Sequence, residues 1–334
     1  MRHRTFISLA VFGSLLVCAF GPGAADEADK KEKPKMTRAD LDSMMKSLSN
    51  WGRWGADDQL GTVNLITPEK RKKAAALVKE GVTISLSHDA IKTPTAGSPP
   101  FGHKMIALPQ NTDFTGASDE YRVAYHGFTV THMDGLCHMA YKGRMYNGVP
   151  QDEVTEQGAA KLSVLNMKQG IFTRGVLMDF PKLRKVDFLE GGEAIYPSDL
   201  EACEKAAGLK VESGDVLLVR TGRWARAKVK GDWEVMRSSA GLHASCLPWL
   251  KKRDVAIVGS DLALDVLPSG IEGVDFPVHI GVLVAMGTPI LDNCDFEALS
   301  EATAARKQWS FLLTVAPLAV PGGTGSPVNP LATF

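Results

Sequence analysis

Hydrophobic and polar residues alternate along several stretches of the chain, as is typical of β-strands. The alternating stretches are VTISLSH (82–88) and YRVAYHGFTVTHMD (121–134). Shorter apolar runs, which indicate strands buried on both faces, lie in GIFTRGVLMDF (170–180), GDVLLVRTG (214–222), VAIVGSD (255–261) and WSFLLTVAPLAV (309–320). One strand is therefore predicted at 82–88, and further strands are predicted from residue 120 onward.

Helices are predicted between these strands. TPEKRKKAAALVKEG (67–81) has Thr67 as N-cap, Pro68 in the first helical position and Gly81 as the stop. An amphipathic helix that ends at Gly52 is predicted at 38–52, and further helices are predicted at 197–208 and 245–254, while FPVHIGVLVAMG (276–287) fits a helix or a strand. Without an internal repeat or a linker that would divide the chain, the pattern favours one mixed α/β domain.

The first 25 residues have the layout of a secretory signal peptide. A basic start, MRHR, precedes a mainly apolar run that ends in small residues before a charged segment. We predict a signal peptide at 1–25, a flexible lead-in and helix at 26–50, and a domain at 51–334. The alternative is a retained membrane anchor, for which the apolar run is at the short limit. The prediction places the mature chain in the periplasm or outside the cell, without a membrane attachment.

The composition limits the class of partner. Lys+Arg and Asp+Glu are both 38, so the formal net charge is zero and no basic field attracts nucleic acid or an anionic membrane. The expected partners are a small-molecule substrate and further copies of the chain. The four cysteines after residue 25 form no C-x-x-C pair and lie in apolar surroundings, which favours buried free thiols.

The segment THMDGLCH (131–138) contains several residues that can bind a metal ion or transfer a proton. His132 and Asp134 would share one face of a strand end, and an imidazole beside a carboxylate suits a divalent metal ion. His138, four residues beyond Asp134, is placed for proton transfer. The alternative is that these histidines have no functional role and are either hydrogen-bonded in the core or exposed on the surface. Further candidates from residue type are His126, which lies on the same face as His132 in a regular strand, together with His279, Asp292 and Asp295.

Several segments together resemble the metal-dependent cyclase family, which includes bacterial kynurenine formamidase and isatin hydrolase. Its signature H-x-G-T-H-x-D-x-P-x-H is matched in its second half by Thr131, His132, Asp134 and His138. Further similar blocks, in the family's order, are SGDVLLVRTGRW (213–224), AGLHASCLPWLKKRDVAIVGSDLALDVLP (240–268) and FPVHIGVLVAMGTPILDN (276–293).

The resemblance implies roles for individual residues. His132 and Asp134 would be metal ligands and His138 the general acid/base, while His279 and Asp292 match positions that help to hold a second ion. The chain departs from the signature at Phe128, which replaces its first histidine, and at Val130 and Leu136. The missing ligand would be replaced by His126 through a local bulge or by His279; otherwise the metal is bound weakly or not at all.

The resemblance also implies a fold and an activity. The fold would be a β-rich α/β single domain of the cyclase (swivelling β/β/α) type, assembled as a dimer or tetramer. The activity would be hydrolysis of a small non-peptide amide or cyclic C–N bond with a divalent zinc or manganese ion. Two alternatives stay open: a catalytically degenerate member that only binds a small molecule, and a lactonase or dehydratase on the same scaffold.

Overall fold

The structure, a computed structural model, describes residues 35–95 and 98–334. The predicted signal peptide at 1–25 and most of the lead-in lie outside these residues, so both stay predictions. Residues Met36–Phe334 form one compact unit, which includes the helix that precedes residue 51. Among the described residues, no helix has the length and apolarity needed to cross a bilayer.

A nine-stranded mixed sheet organises the described part of the chain. Its strands, numbered here in chain order, are β1 (Thr83–Ser85), β2 (His132–Asp134), β3 (Ile171–Asp179), β4 (Val216–Arg220), β5 (Ile257–Ser260), β6 (Ile290–Asp292), β7 (Ser310–Val315), β8 (Gly325–Pro327) and β9 (Leu331–Thr333). The spatial order is β1-β9-β7-β3-β4-β5-β6-β2-β8. The four central strands β3, β4, β5 and β6 run parallel, and the flanking pairs are antiparallel.

The α-helices of the described residues connect and cover this sheet. They are α1 (Arg38–Ser47), α2 (Pro68–Ala75), α3 (Phe180–Arg184), α4 (Pro197–Ala207), α5 (Arg223–Lys230), α6 (Leu247–Arg253), α7 (Pro277–Ile280) and α8 (Glu297–Arg306), and a π-helical turn, Gly281–Met286, continues α7. Within the described ranges, three two-stranded pairs lie outside the main sheet: Gly102–Ala107 with Ser118–Arg122, Val154–Thr155 with Gly158–Ala159, and Ala194–Ile195 with Gly241–Leu242.

Two hydrophobic clusters cover the two faces of the sheet. In β4, Leu217 and Val219 belong to one cluster, and Val216 and Leu218 belong to the other. Successive side chains of a strand point to opposite faces, so a strand covered on both sides is apolar at most positions. This double burial explains the nearly continuous apolar runs in the sequence. All four cysteines of the described residues are buried and free, as predicted.

Several predicted elements are confirmed, and two kinds of correction are needed. The apolar runs predicted as buried strands contain β3, β4, β5 and β7, and the ambiguous segment 276–287 is helical. The first correction is that two helices end early. Helix α1, which was predicted to reach Gly52, ends at Ser47. Helix α2 begins as predicted, with the Thr67 hydroxyl accepting a hydrogen bond from Lys70 N, but it ends at Ala75 and not at Gly81. The backbone N–H groups of Glu80 and Gly81 instead donate to the carbonyl of Phe334, which requires the chain to leave the helix.

The second correction concerns the stretch 121–134, which is not one regular strand. Strand structure ends at Arg122 and resumes only at His132. Residues 123–131 form a loop, called here the His126 loop, in which the backbone of Gly127 and Phe128 bonds to the side chains of Ser98, Arg223 and Asn293. The prediction that His126 shares a strand face with His132 is therefore wrong, and the position of His126 depends on what holds this loop.

Candidate metal centre

Strand β2 places two candidate ligands side by side. His132 and Asp134 are separated by one residue, and the intervening Met133 belongs to the hydrophobic cluster on the opposite face of the sheet. Strand β2 lies between β6 and β8, and in this register Asp292 of β6 is the direct partner of His132. Sheet pairing alone thus brings together residues that are 160 positions apart in the sequence.

The structure gathers the candidate ligands into two groups that share Asp134. The first group is His126, His132 and Asp134, and the second is Asp134, His279 and Asp292; within each, the potential ligand atoms lie within 4.8 Å of one another. His126 Nδ1 is 2.9 Å and His132 Nε2 is 3.4 Å from Asp134 Oδ1. On the other side, His279 Nε2 lies 4.0 Å from Asp134 Oδ2 and 3.1 Å from Asp292 Oδ2.

The carboxylates of this cluster fit a bound cation. Asp134 is 1% exposed, and within the described residues neither of its oxygens has a hydrogen-bond partner of acceptable geometry; the same holds for Asp292 Oδ1. Buried carboxylates are costly unless they are paired or coordinate a metal ion. Imidazole and carboxylate donors together suit divalent ions such as zinc, manganese and iron. The residues therefore fit the predicted divalent metal.

The electrostatics of the cluster favour positive charge between the carboxylates. Burial raises the pKa of Asp134, but His138 and His132 outweigh it and hold that pKa well below its ordinary value. Burial likewise lowers the pKa of His279, and Asp292 and Asp265 outweigh it and raise that pKa well above its ordinary value. The Asp134 carboxylate is thus ionised. The surrounding carboxylates stabilise a positive charge at the His279 ring, and this charge is either a proton on the ring or a metal ion bound to it.

Each candidate histidine ligand is held through its second ring nitrogen. His132 Nδ1 lies 2.8 Å from the carbonyl oxygen of Val130, and His126 Nε2 lies 2.9 Å from Thr324 Oγ1. His279 Nδ1 lies 2.7 Å from Asp265 Oδ2. Such contacts fix the ring orientation and direct the other nitrogen at the metal position.

Asp265 was not identified from the sequence. It is fully buried and accepts hydrogen bonds from the backbone N–H groups of Val278 and His279 as well as from the His279 ring. No spacing rule connects it to His279, which lies 14 positions further along the chain. The candidate Asp295, by contrast, lies outside both groups, and its Oδ1 accepts a hydrogen bond from Glu297 N.

His138 occupies a different position from the ligands. It lies beyond the turn that follows β2, with Nε2 at 3.9 Å from Asp134 Oδ2, and its ring stacks on that of His126. Among the described residues, its side chain makes no hydrogen bond. Burial, partly opposed by Asp134, lowers the pKa of His138 to about 4. His138 is therefore a neutral imidazole whose nitrogens are available to a molecule in the cavity.

A cavity of about 240 Å³ opens over the cluster. Its polar end consists of the six predicted residues: His126, His132, Asp134, His138, His279 and Asp292. Its other walls are mainly apolar and are formed by Gly127, Phe128, Met139, Met236, Ala263 and Phe276. Phe128, which replaces the first histidine of the signature, is thus a wall of the cavity, while His126 approaches Asp134.

Comparison with known proteins supports this picture. A family model described as "Putative cyclase" matches residues 70–265. A crystal structure described as a novel cyclase is 30% identical, with a TM-score of 0.77, and the match covers 87% of this chain and 99% of that one. No curated protein matched the chain.

Two isatin hydrolases share the fold at lower identity. Isatin hydrolase A from Labrenzia aggregata, bound to benzyl benzoate, is 18% identical with a TM-score of 0.54. An isatin hydrolase bound to the product analogue thioisatinate is 17% identical, also with a TM-score of 0.54. Each match covers 78% of this chain and 94% of the other. The predicted fold class, a β-rich α/β domain of the cyclase type, is confirmed.

Proposed function

The chain belongs to the cyclase family, and from the geometry of its His/Asp cluster we propose that it is a metal-dependent hydrolase of a small non-peptide amide or cyclic C–N bond. The observation that carries the proposal is the buried Asp134 carboxylate, which accepts no hydrogen bond of acceptable geometry among the described residues and belongs to both groups of candidate ligands. His126, His132 and Asp134 would hold one ion, and Asp134, His279 and Asp292 would hold a second.

The roles of the protein groups follow from their positions. A divalent ion held by these residues would supply Lewis acidity and would lower the pKa of water toward about 7. The histidine ligands stay oriented through Val130, Thr324 and Asp265, and the apolar walls exclude bulk water from the reacting bond. His138 lines the cavity outside both ligand groups, so it is placed to carry a proton from water to the departing nitrogen.

The cavity limits the substrate. Of the described residues that line it, none is Lys or Arg, and five of the six outside the cluster have apolar side chains. An apolar cavity of about 150 Å³ accommodates benzene. A cavity of about 240 Å³ therefore suits a compact, uncharged molecule larger than a single benzene ring, with its carbonyl directed at the His/Asp end. The occurrence of isatin hydrolases among the structural neighbours supports such a substrate.

Metal analysis and a hydrolysis assay on the same preparation test the proposal. We expect near-stoichiometric zinc or manganese in the purified mature chain, and turnover of isatin or N-formylkynurenine that a chelator removes and added metal restores. A protein that neither contains metal nor gains activity when metal is added would contradict it. Full metal occupancy without turnover of a wider panel of small amides and lactams would favour the non-catalytic binding protein.

The proposal includes export of the chain and assembly into dimers or tetramers. Export rests on the signal-peptide layout of residues 1–25. Expression of the full chain in a bacterium, followed by periplasmic extraction and N-terminal sequencing, tests it, with a mature chain that begins near residue 26 as the expected result. Light scattering of that mature protein measures the oligomeric state.

A further inference from the structure

Two consecutive carbonyl groups in the His126 loop are held by side chains from a distant part of the chain. The Gly127 carbonyl accepts a hydrogen bond from Asn293 Nδ2, and the Phe128 carbonyl accepts one from Arg223 Nη2. Arg223 Nη1 also donates to Asn293 Oδ1, so the two side chains form one unit. We call this pair the Arg223–Asn293 clamp.

The environment of Arg223 is unusual for an arginine. The side chain is buried, at 7% exposure, and the carboxylates that act on its guanidinium, those of Asp261, Asp232 and Asp292, form no direct ion pair with it among the described residues. Its hydrogen-bond acceptors are Phe128 O, Asn293 Oδ1 and, at 3.5 Å, Asp261 O, and its guanidinium also lies 4.3 Å from the centroid of the Trp224 ring. Burial lowers the pKa of Arg223 to about 10. A buried cation without an adjacent carboxylate costs stability, and the hydrogen bonds that Arg223 donates to the His126 loop and to Asn293 offset this cost.

Asn293 connects the His126 loop to the ligand-bearing strands. It directly follows Asp292 and has a left-handed backbone with φ of 54°, which turns the chain at the end of β6. Its carbonyl accepts a hydrogen bond of 2.7 Å from the Thr131 hydroxyl, next to His132. The clamp therefore fixes the His126 loop relative to the ends of both β6 and β2.

We propose that Arg223 and Asn293 are positioning residues of the metal centre, which hold the carbonyls of Gly127 and Phe128 and thereby place His126 beside Asp134. The inference rests on the proposed function, because it requires that His126 bind a metal ion. The clamp contacts the loop on both residues that follow His126, while the His126 ring itself contacts Thr324 and Asp134. Loss of the clamp should release His126 and leave His279 and Asp292 in place.

A double-mutant cycle on metal affinity tests the inference. The variants are Asn293→Gly, His126→Ala and the double variant, each titrated as metal-free protein with Co²⁺ and followed by visible absorption and calorimetry. Glycine accepts the left-handed backbone at position 293, so N293G removes only the side-chain amide. We expect N293G to weaken Co²⁺ binding at the His126 group by about 10–100-fold, with an altered absorption band. In the H126A background, the same substitution should have no further effect.

Two further variants serve as comparison and control. Arg223→Met should act in the same direction as N293G. Arg226→Met is the matched control, because Arg226 lies in the same helix, α5, but pairs with Glu190 at 3.1 Å and stacks over Trp233. Its Co²⁺ affinity and spectrum should remain those of the wild type. Thermal unfolding of every variant establishes that the chain is folded before titration.

The outcomes separate this inference from the proposed function. A wild-type protein that binds no metal ion overturns both. A wild-type protein that binds metal, with folded N293G equal to it in affinity and spectrum, overturns the positioning role alone. The same conclusion follows if N293G weakens binding equally with and without His126, because the effect then does not pass through His126. Coupling between the two substitutions supports the inference.

Discussion

The rings of His126 and His138 lie parallel, with centroids 3.9 Å apart and an interplanar angle of 4°. A candidate ligand and the candidate proton carrier therefore support each other by direct contact. This arrangement allows the two roles to be separated by substitution, because a phenylalanine at position 138 keeps a flat ring against His126 and removes the titratable nitrogens.

We predict that His138→Phe and His138→Ala both lose turnover while the protein keeps its metal. General acid–base groups typically contribute about 10²–10⁴-fold, so kcat should fall by that range. Metal content measured by mass spectrometry should equal that of the wild type, most clearly for H138F. If either variant loses metal in proportion to activity, His138 is a ligand and the assigned role is wrong.

Asp134 is expected to be essential for both ions because it belongs to both ligand groups. Binding to the folded state raises its stability by about 2.7 kcal/mol at a free metal concentration of 100 times Kd. Zinc or manganese should therefore raise Tm of the metal-free wild type and leave that of Asp134→Asn unchanged. Asp295→Asn, outside both groups, is the control and should respond like the wild type. A full metal-induced shift in D134N would contradict the shared-ligand arrangement.

Asp265 is expected to act on only one of the two ions. It holds His279 at 2.7 Å, but it does not line the cavity. Loss of a group that orients a ligand typically weakens metal affinity by about 10–100-fold. Asp265→Asn should therefore weaken the ion held by Asp134, His279 and Asp292, and leave the other at wild-type affinity. Competition with a chelator of known affinity measures the affinity of the protein for each of the two ions. Equal weakening of the two ions would contradict the assignment.

An ion pair remote from the cavity predicts an acid-dependent contribution to stability. Arg53 Nη1 and Nη2 lie 2.6 and 2.7 Å from the two oxygens of Asp254, and these hydrogen bonds lower the pKa of Asp254 below its ordinary value. A carboxyl with a lowered folded-state pKa stabilises the protein above its unfolded-state pKa of about 3.9, and the contribution is lost as the pH falls through the lower value.

Asp254→Asn tests this prediction with little change to the backbone, since Asn also tolerates the left-handed conformation at this position, where φ is 51°. Partly exposed pairs contribute about 0.2–1 kcal/mol. The free energy of unfolding of D254N should be lower than that of the wild type by this amount at pH 7, and the two should converge below about pH 4. A difference that does not change between pH 7 and pH 3 would contradict the linkage.

The sequence was most informative where one local rule decided the structure. Strands β3, β4 and β5 were predictable because burial on both faces favours apolar residues at nearly every position. The start of α2 was predictable because its signals are local: Thr67 caps the N–H group of Lys70, three residues further on, and Pro68 occupies the first helical position. His132 and Asp134 were recognisable as a pair because a spacing of two places them on one strand face.

The sequence was least informative where distant partners decide the conformation. The His126 loop alternates like a strand, but Arg223 and Asn293, 95 and 166 positions away from the carbonyls that they bind, hold it in another shape. Asp265 carries no spacing signal because its contact with His279 depends on the fold of the segment between them. No local pattern encodes such contacts.

Strand β2 lies next to the end of the sheet, where only β8 covers it. In β8, Pro327 is the partner of His132, and proline has no N–H group to offer to a further strand. The opposite edge, β1, is only three residues long. Short or proline-containing edges give another chain little to pair with. The edge formed by β8, next to the strand that carries His132 and Asp134, is thus protected from pairing with another chain. This protection does not depend on a bound ion.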